Sequence, residues 1–108
     1  MALTFYYGSG SPFAWKVWLV LEHKELSVEH RLLSFRAGDT RTPEYRELSP
    51  RGKVPALVDG SFSLYESSAI VEYLEDTHPD PPVLPRAPAA RAAARRIAAE
   101  VDACLYPP

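Results

Sequence analysis

The sequence predicts an α/β domain with a mixed four-stranded sheet over residues 1–78, followed by the first helix of a second unit. Three observations carry this prediction. Apolar runs alternate with stretches of helical periodicity in the order strand, helix, strand, helix, strand, strand, helix. Asp59-Gly60 is a typical hairpin turn between the last two strands. Prolines crowd residues 79–88, and this composition predicts a stiff, extended linker.

The first half of the domain reads as a βαβ unit. Residues 3–7 are apolar and aromatic and end at Gly8, which predicts a buried strand. Pro12 suits the first turn of a helix, which should run to about Lys24. Apolar residues recur along it at helical spacing: Phe13, Val17, Val20 and Leu21. Val28–Leu33 is the next strand, and this order favours a parallel pair.

The second half reads as a short helix, a hairpin and a longer helix. Thr42 followed by a proline predicts a helix start, and Ser49-Pro50 ends that helix. A strand over 54–58 carries proline near its beginning, where proline is tolerated. Phe62–Tyr65 is its predicted partner, and Ser67–Thr77 is the following helix. The helices are expected on both faces of the sheet.

Residues 89–105 are predicted to form one helix, which opens a second unit over 89–108. Its apolar side chains fall on one stripe: Ile97, Val101, Cys104 and Leu105. Cys104 is therefore expected to be a packed thiol. A stripe with no domain of its own to bury against is expected to associate with a second copy of the chain.

Composition excludes several classes of function. The chain has 108 residues, is 46% hydrophobic and 24% charged, and carries a formal net charge of −2. That balance is typical of a soluble globular protein and predicts no general attraction to nucleic acid or membrane. Arg91, Arg95 and Arg96 are expected to form a solvated helix face. A single cysteine fits a reducing compartment, and the three histidines lack metal-ligand spacing.

Ser11-Pro12-Phe13-Ala14 lies where the first strand passes into the first helix. Thioredoxin-like redox proteins place a pair of cysteines at this junction. A hydroxyl cannot exchange a disulfide, but it can donate a hydrogen bond to the thiolate of a bound molecule. Ser11 is therefore a candidate for activating a bound thiol, with Ser9 as the alternative. A plain helix N-cap is the other interpretation of Ser11.

Three stretches of the chain together resemble the N-terminal, thioredoxin-like domain of cytosolic glutathione S-transferases. They are residues 7–17, 48–60 and 64–74, in the order and secondary structure of that family. The pattern looks most like the serine-type classes, such as zeta, tau and phi, and their bacterial relatives. The resemblance implies a fold of βαβ, α and ββα units and a glutathione co-substrate without a metal. It implies attack of the glutathione thiolate on a small electrophile.

The resemblance also assigns site residues. Ser11 matches the family's catalytic serine. Val54 would pair its backbone with the cysteinyl unit of glutathione, ahead of Pro55 in a cis peptide bond. Glu66 and Ser67 match the pair that holds the γ-glutamyl end, and Lys53 matches a position directed at the glycyl carboxylate. Without a ligand, the alternatives are a trans proline, a capping Ser67, and solvated Glu66 and Lys53 side chains.

The family's electrophile pocket needs an all-helical second domain, of which this sequence carries the opening helix. The sequence is thus expected to be a fragment or a short natural product, and its own catalytic activity is in doubt. The resemblance implies a cytoplasmic homodimer. The alternative function is a non-catalytic binding or regulatory module of the same fold. A thiol oxidoreductase is disfavoured because positions 9, 11 and 14 lack cysteine.

Overall fold

The structure is a computed structural model that describes residues 3–105 and the side chains of 3–104. Predictions for 1–2 and 106–108, and for the burial of Leu105, lie outside the described part. The strands are β1 (Leu3–Gly8), β2 (Val28–Leu33), β3 (Ala56–Asp59) and β4 (Phe62–Tyr65). The helices are α1 (Pro12–His23), α2 (Pro43–Leu48), α3 (Ser67–Thr77) and α4 (Pro88–Glu100). A 3₁₀ turn (Asp39–Arg41) precedes α2, and a π-helical turn (Val101–Leu105) continues α4.

The four strands form one mixed sheet in the order β2-β1-β3-β4. β1 and β2 are parallel, whereas β3 runs antiparallel to both β1 and β4. The predicted fold class is therefore confirmed. β3 begins at Ala56 rather than at the predicted position 54, because Pro55 has no N–H to give to the ladder.

The main core lies between one face of the sheet and helices α1 and α3. Phe5 and Leu57 supply its sheet side, while Val17 and Ile70 are fully buried on the two helices. The opposite face carries α2, whose Tyr45 packs against Tyr6 with ring centroids 5.8 Å apart. Helices thus cover both faces, as alternation along β1 requires.

A buried ion pair holds the connector between α3 and α4 against the domain. The Lys24 ammonium donates to Glu75 Oε1 at 2.8 Å and to the carbonyls of His78 and Pro81 at 2.6 and 2.8 Å. Glu75 in turn accepts from the backbone N–H groups of Val83 and Leu84. The proline-rich connector is therefore anchored by hydrogen bonds at four of its positions, which its composition did not predict.

The last helix differs from its prediction in two respects. It changes from α to π geometry at Val101, so the residues beyond that point leave the phase of the expected stripe. Ile97 is 55% exposed and Cys104 is also exposed, so the prediction of a packed thiol is wrong. The arginines are not simply a solvated face, because Arg95 pairs with Glu72 of α3 at 2.7 Å.

Candidate functional site

A cleft of about 320 Å³ opens where the loop before β3 meets the start of α3. Five of the six predicted site residues line it: Lys53, Val54, Pro55, Glu66 and Ser67. The rest of its wall comes from residues that the sequence did not single out as a ligand site: Phe13, Ser49, Arg51, Tyr65, Asp102 and Ala103. Segments far apart in the chain thus meet at one concave surface.

Ser11 lies beside this cleft rather than in its lining. It is the N-cap of α1, and its Oγ accepts from the Ala14 N–H at 3.3 Å. The capping interpretation is therefore present in the structure. A hydroxyl that accepts one hydrogen bond still has its own O–H to donate, so capping leaves Ser11 able to donate to a bound thiolate. Phe13, two residues further on, lines the cleft.

The backbone before Val54 is fixed by two hydroxyl groups. Tyr45 and Ser49 both donate to the Lys53 carbonyl, at 2.6 and 2.8 Å. Burial raises the pKa of Tyr45 to about 12, so this phenol remains a donor across the physiological range. The Val54–Pro55 peptide bond is cis, as the family resemblance implied.

Glycine is required at one position of the same loop. Gly52 has φ +65°, and a Cβ there would lie 2.6 Å from the Thr40 carbonyl oxygen. The left-handed conformation and this close approach both exclude larger residues. The loop can therefore bring Arg51 and Lys53 to the cleft only with glycine between them.

Glu66 and Ser67, at the start of α3, form another part of the cleft wall. Glu66 is the N-cap of α3 with φ +76°, an unusual conformation for a residue with a side chain. Its side chain caps no N–H in the described part of the chain, so the first-turn amides of α3 keep their capacity to bind an anion. Ser67 is 5% exposed at the first position of that helix.

The cleft carries charges of both signs. Arg51 lies 3.6 Å from Glu66, and both side chains are largely exposed. Lys53 also lines the cleft and is exposed. Asp102 also lines the cleft. Burial acts to raise the pKa of its carboxyl group, but hydrogen bonds from Ser68 and Lys16 outweigh burial and hold that pKa below the usual range. Such a surface is suited to a ligand that carries both carboxylate and ammonium groups.

Two charged residues that line the cleft were not among the site residues predicted from the sequence. Arg51 stands within a quoted motif and could have been singled out as a second cation beside Lys53. Asp102 carried no signal, because it reaches the cleft only through the path of the connector and α4. Among residues 3–105, no group of three or more His, Cys, Asp or Glu side chains could hold a metal ion. No helix in the same range is long and apolar enough to span a bilayer.

Comparison with known proteins agrees with this geometry. Residues 5–82 match the family model described as "Glutathione S-transferase, N-terminal domain". A maleylacetoacetate isomerase of Pseudomonas aeruginosa is 38% identical over 108 residues, covering 99% of this chain and 51% of that protein. The chain therefore belongs to the glutathione S-transferase family, matching its N-terminal domain, and it spans about half the length of this curated relative.

Solved structures show the same fold. A glutathione transferase homologue from Burkholderia with bound glutathione has a TM-score of 0.85 at 34% identity, covering 98% of this chain and 59% of that chain. A maleyl pyruvate isomerase, described as a bacterial zeta-class glutathione S-transferase, has a TM-score of 0.90 at 28% identity. The match covers 96% of this chain and 49% of that chain.

Proposed function

We propose that this chain binds glutathione in the cleft and activates its thiol, as the glutathione-binding half of a glutathione transferase. The observation that carries the proposal is the convergence of Lys53, Val54, Pro55, Glu66 and Ser67 on one cleft. These residues are separated in sequence by up to 14 positions, and each of them is one that the family resemblance assigns to the glutathione site.

The ends of glutathione match the charges of the cleft. Ser67 and the first-turn amides of α3 suit the γ-glutamyl carboxylate. Glu66 suits the adjacent α-ammonium. Lys53 suits the glycyl carboxylate, as the family resemblance implies, and Arg51, 3.6 Å from Glu66, adds a second cation to the cleft. The peptide groups of Val54 would pair with the cysteinyl unit between these ends, in the manner of an added strand.

Thiol activation needs only modest free energy. A free thiol has a pKa near 8.5 and is mostly protonated at neutral pH. Lowering that pKa to about 6.5 requires about 2.7 kcal/mol of preferential stabilisation of the thiolate. A hydrogen bond to a charged partner contributes roughly 1.5–3 kcal/mol, and a helix N-terminus adds about 0.3–2 kcal/mol. The Ser11 hydroxyl and the start of α1 are therefore sufficient together, with Ser9 remaining the alternative donor.

Calorimetric titration with glutathione tests the binding proposal. Ser67→Ala should weaken binding by roughly 10- to 100-fold, since it removes a buried hydrogen bond to a charged group. Ser61→Ala, at an exposed turn, is the matched control and should bind like the wild type. No saturable signal from the folded wild-type protein at millimolar glutathione would overturn the proposal. Conjugation of a general electrophile by the chain, assayed afterwards, would identify a transferase rather than a non-catalytic module.

We also propose that the chain forms a cytoplasmic homodimer. Trp15, Leu19 and Ile97 are 55%, 69% and 55% exposed, and burying such side chains contributes roughly 1.5–3 kcal/mol each. A cytoplasmic location suits a thiol co-substrate that must stay reduced. Sedimentation at micromolar concentration tests association, and a clean 12.0 kDa monomer would contradict it.

A further inference from the structure

The π-helical turn brings the Asp102 carboxylate next to α1, the first helix of the domain. Asp102 and Ala103 line the cleft, although Asp102 lies 35 residues beyond Ser67. Nothing in the assigned roles of the glutathione site uses Asp102. The position of Asp102 depends on the connector and on α4, because the 101–105 turn reaches the cleft only if both of these segments keep their observed conformation.

Asp102 is held there by two side chains from different helices. The Lys16 ammonium of α1 lies 2.9 Å from each Asp102 carboxylate oxygen and donates to Ser68 Oγ at 3.0 Å. The Ser68 hydroxyl of α3 in turn donates to Asp102. The Lys16 and Asp102 side chains are 27% and 26% exposed, so the cluster is accessible to solvent but mostly covered.

This cluster, which we name the polar latch (Lys16, Ser68 and Asp102), joins three elements that each border the cleft. Ser68 follows Ser67 at the start of α3, and Lys16 lies one turn after Phe13 on α1. We propose that the polar latch positions the 101–105 turn as one wall of the glutathione cleft. Lys16 and Asp102 are then positioning residues for ligand binding. The inference rests on the proposed glutathione site.

A second ion pair, between α4 and α3, provides a matched control. Arg95 of α4 pairs with Glu72 of α3 at 2.7 Å, with side chains 51% and 35% exposed. Like the latch, it joins the last helical segment to α3. Unlike the latch, neither of its residues lines the cleft. Removing it therefore tests whether any contact between these segments supports binding, or whether the contact at the cleft is required.

The experiment is a double-mutant cycle on ligand affinity. Lys16→Met, Asp102→Asn and the double variant are titrated with S-methylglutathione, which binds without thiol exchange at Cys104. Each single variant should bind about fivefold more weakly, the change that corresponds to about 1 kcal/mol. The double variant should bind no more weakly than either single variant, because the two residues act as one unit. The control pair, Glu72→Gln with Arg95→Met, should bind within about twofold of the wild type.

The outcomes separate the latch from the site itself. Failure of the wild type to bind glutathione itself would refute the proposed function. Wild-type binding with unaffected single variants, or with losses that multiply in the double variant, would overturn the latch. Circular dichroism of each variant verifies that it is folded.

A second measurement needs no substitution in the latch. Cys104, the chain's only cysteine, is exposed within the 101–105 turn and accepts an environment-sensitive fluorophore. Its emission should change on addition of S-methylglutathione with the midpoint found by calorimetry. A ligand that binds without altering that emission would contradict a wall formed by this turn.

Discussion

Helix α1 and its C-cap residue each provide a lysine that joins a later segment, and the two lysines differ mainly in burial. Lys24 has a side chain that is 0% exposed and pairs with Glu75, itself 6% exposed. Lys16, eight residues earlier, is 27% exposed and pairs with Asp102. One ion pair anchors the connector to the domain, whereas the other holds a turn at the rim of the cleft. A lysine–carboxylate pair thus serves one purpose within α1 and another at its C-cap.

Burial sets how much each pair contributes. Lys24 donates to one carboxylate and two carbonyls, which matches the three donors of an ammonium group. A pair so fully satisfied holds the chain in one arrangement, and loss of either partner leaves a buried charge without its main counter-ion, although Arg91 still lies 4.0 Å from Glu75. The Lys16–Asp102 pair can instead exchange its contacts for water. It is therefore suited to a segment that must adjust when a ligand binds.

The largest expected effect is the loss of the buried pair. Lys24→Met or Glu75→Gln should lower the free energy of unfolding by about 3–5 kcal/mol, because the remaining charge or polar group stays buried without its partner. Urea denaturation followed by circular dichroism measures this change. Glu72→Gln, on the neighbouring turn of α3, is the control and should leave stability nearly unchanged. If the free energy of unfolding falls by less than about 1 kcal/mol for both Lys24→Met and Glu75→Gln, the pair does not anchor the connector.

The pH dependence of stability should report the same pair. Burial acts to raise the pKa of Glu75, but hydrogen bonds from Lys24 and from the Val83 and Leu84 amides outweigh burial and hold it below its usual range. A carboxyl group whose pKa is lower in the folded state stabilises the fold above its unfolded pKa of about 4.3. That contribution is lost as pH falls through the folded value.

The free energy of unfolding should therefore fall on acidification below about pH 4.5, and less steeply for Glu75→Gln. The difference between the wild type and Glu75→Gln should narrow as pH decreases. Denaturation curves between pH 3 and pH 6 provide the measurement. A gap that stays constant over this range would mean that the Glu75 pKa is not lowered by folding.

The same contrast shows how much the sequence could predict. Local signals sufficed for most elements: Pro12 and Thr42 mark helix starts, and Asp59-Gly60 marks the hairpin. The residues predicted around Pro55 and Ser67 also meet at one cleft. Each of these predictions depends on short-range geometry or on a contiguous motif.

The two ion pairs could not be predicted in this way. Lys24 and Glu75 are 51 residues apart, and Lys16 and Asp102 are 86 residues apart. A lysine near a helix end looks like a solvated charge until tertiary structure buries it. The change from α to π geometry at Val101 likewise leaves no periodic signal, which is why Cys104 was wrongly expected to be packed.

An intermediate effect is expected at the other end of α1. Ser11→Ala should lower the free energy of unfolding by about 1 kcal/mol, since it removes the cap on the Ala14 N–H. It should also raise the pKa of bound glutathione while leaving affinity largely intact, because the hydroxyl favours the charged form. Thiolate ultraviolet absorbance against pH measures the second effect, with Ser9→Ala as the control. An unchanged midpoint for Ser11→Ala, with a shift for Ser9→Ala, would assign activation to Ser9.

The smallest effect is expected for the stability contribution of the Lys16–Asp102 pair, and its salt dependence separates it from the buried pair. A double-mutant cycle on the free energy of unfolding should give a coupling of about 0.2–1 kcal/mol, as for other partly exposed ion pairs. Raising the salt concentration towards 1 M shortens the Debye length to about 3 Å, so this coupling should fall towards zero. The Lys24–Glu75 coupling should persist, because buried charges are screened much less. If the two coupling energies are equally sensitive to salt, burial does not distinguish the two ion pairs. The Lys24–Glu75 pair could then not be described as fixed and the Lys16–Asp102 pair as adjustable.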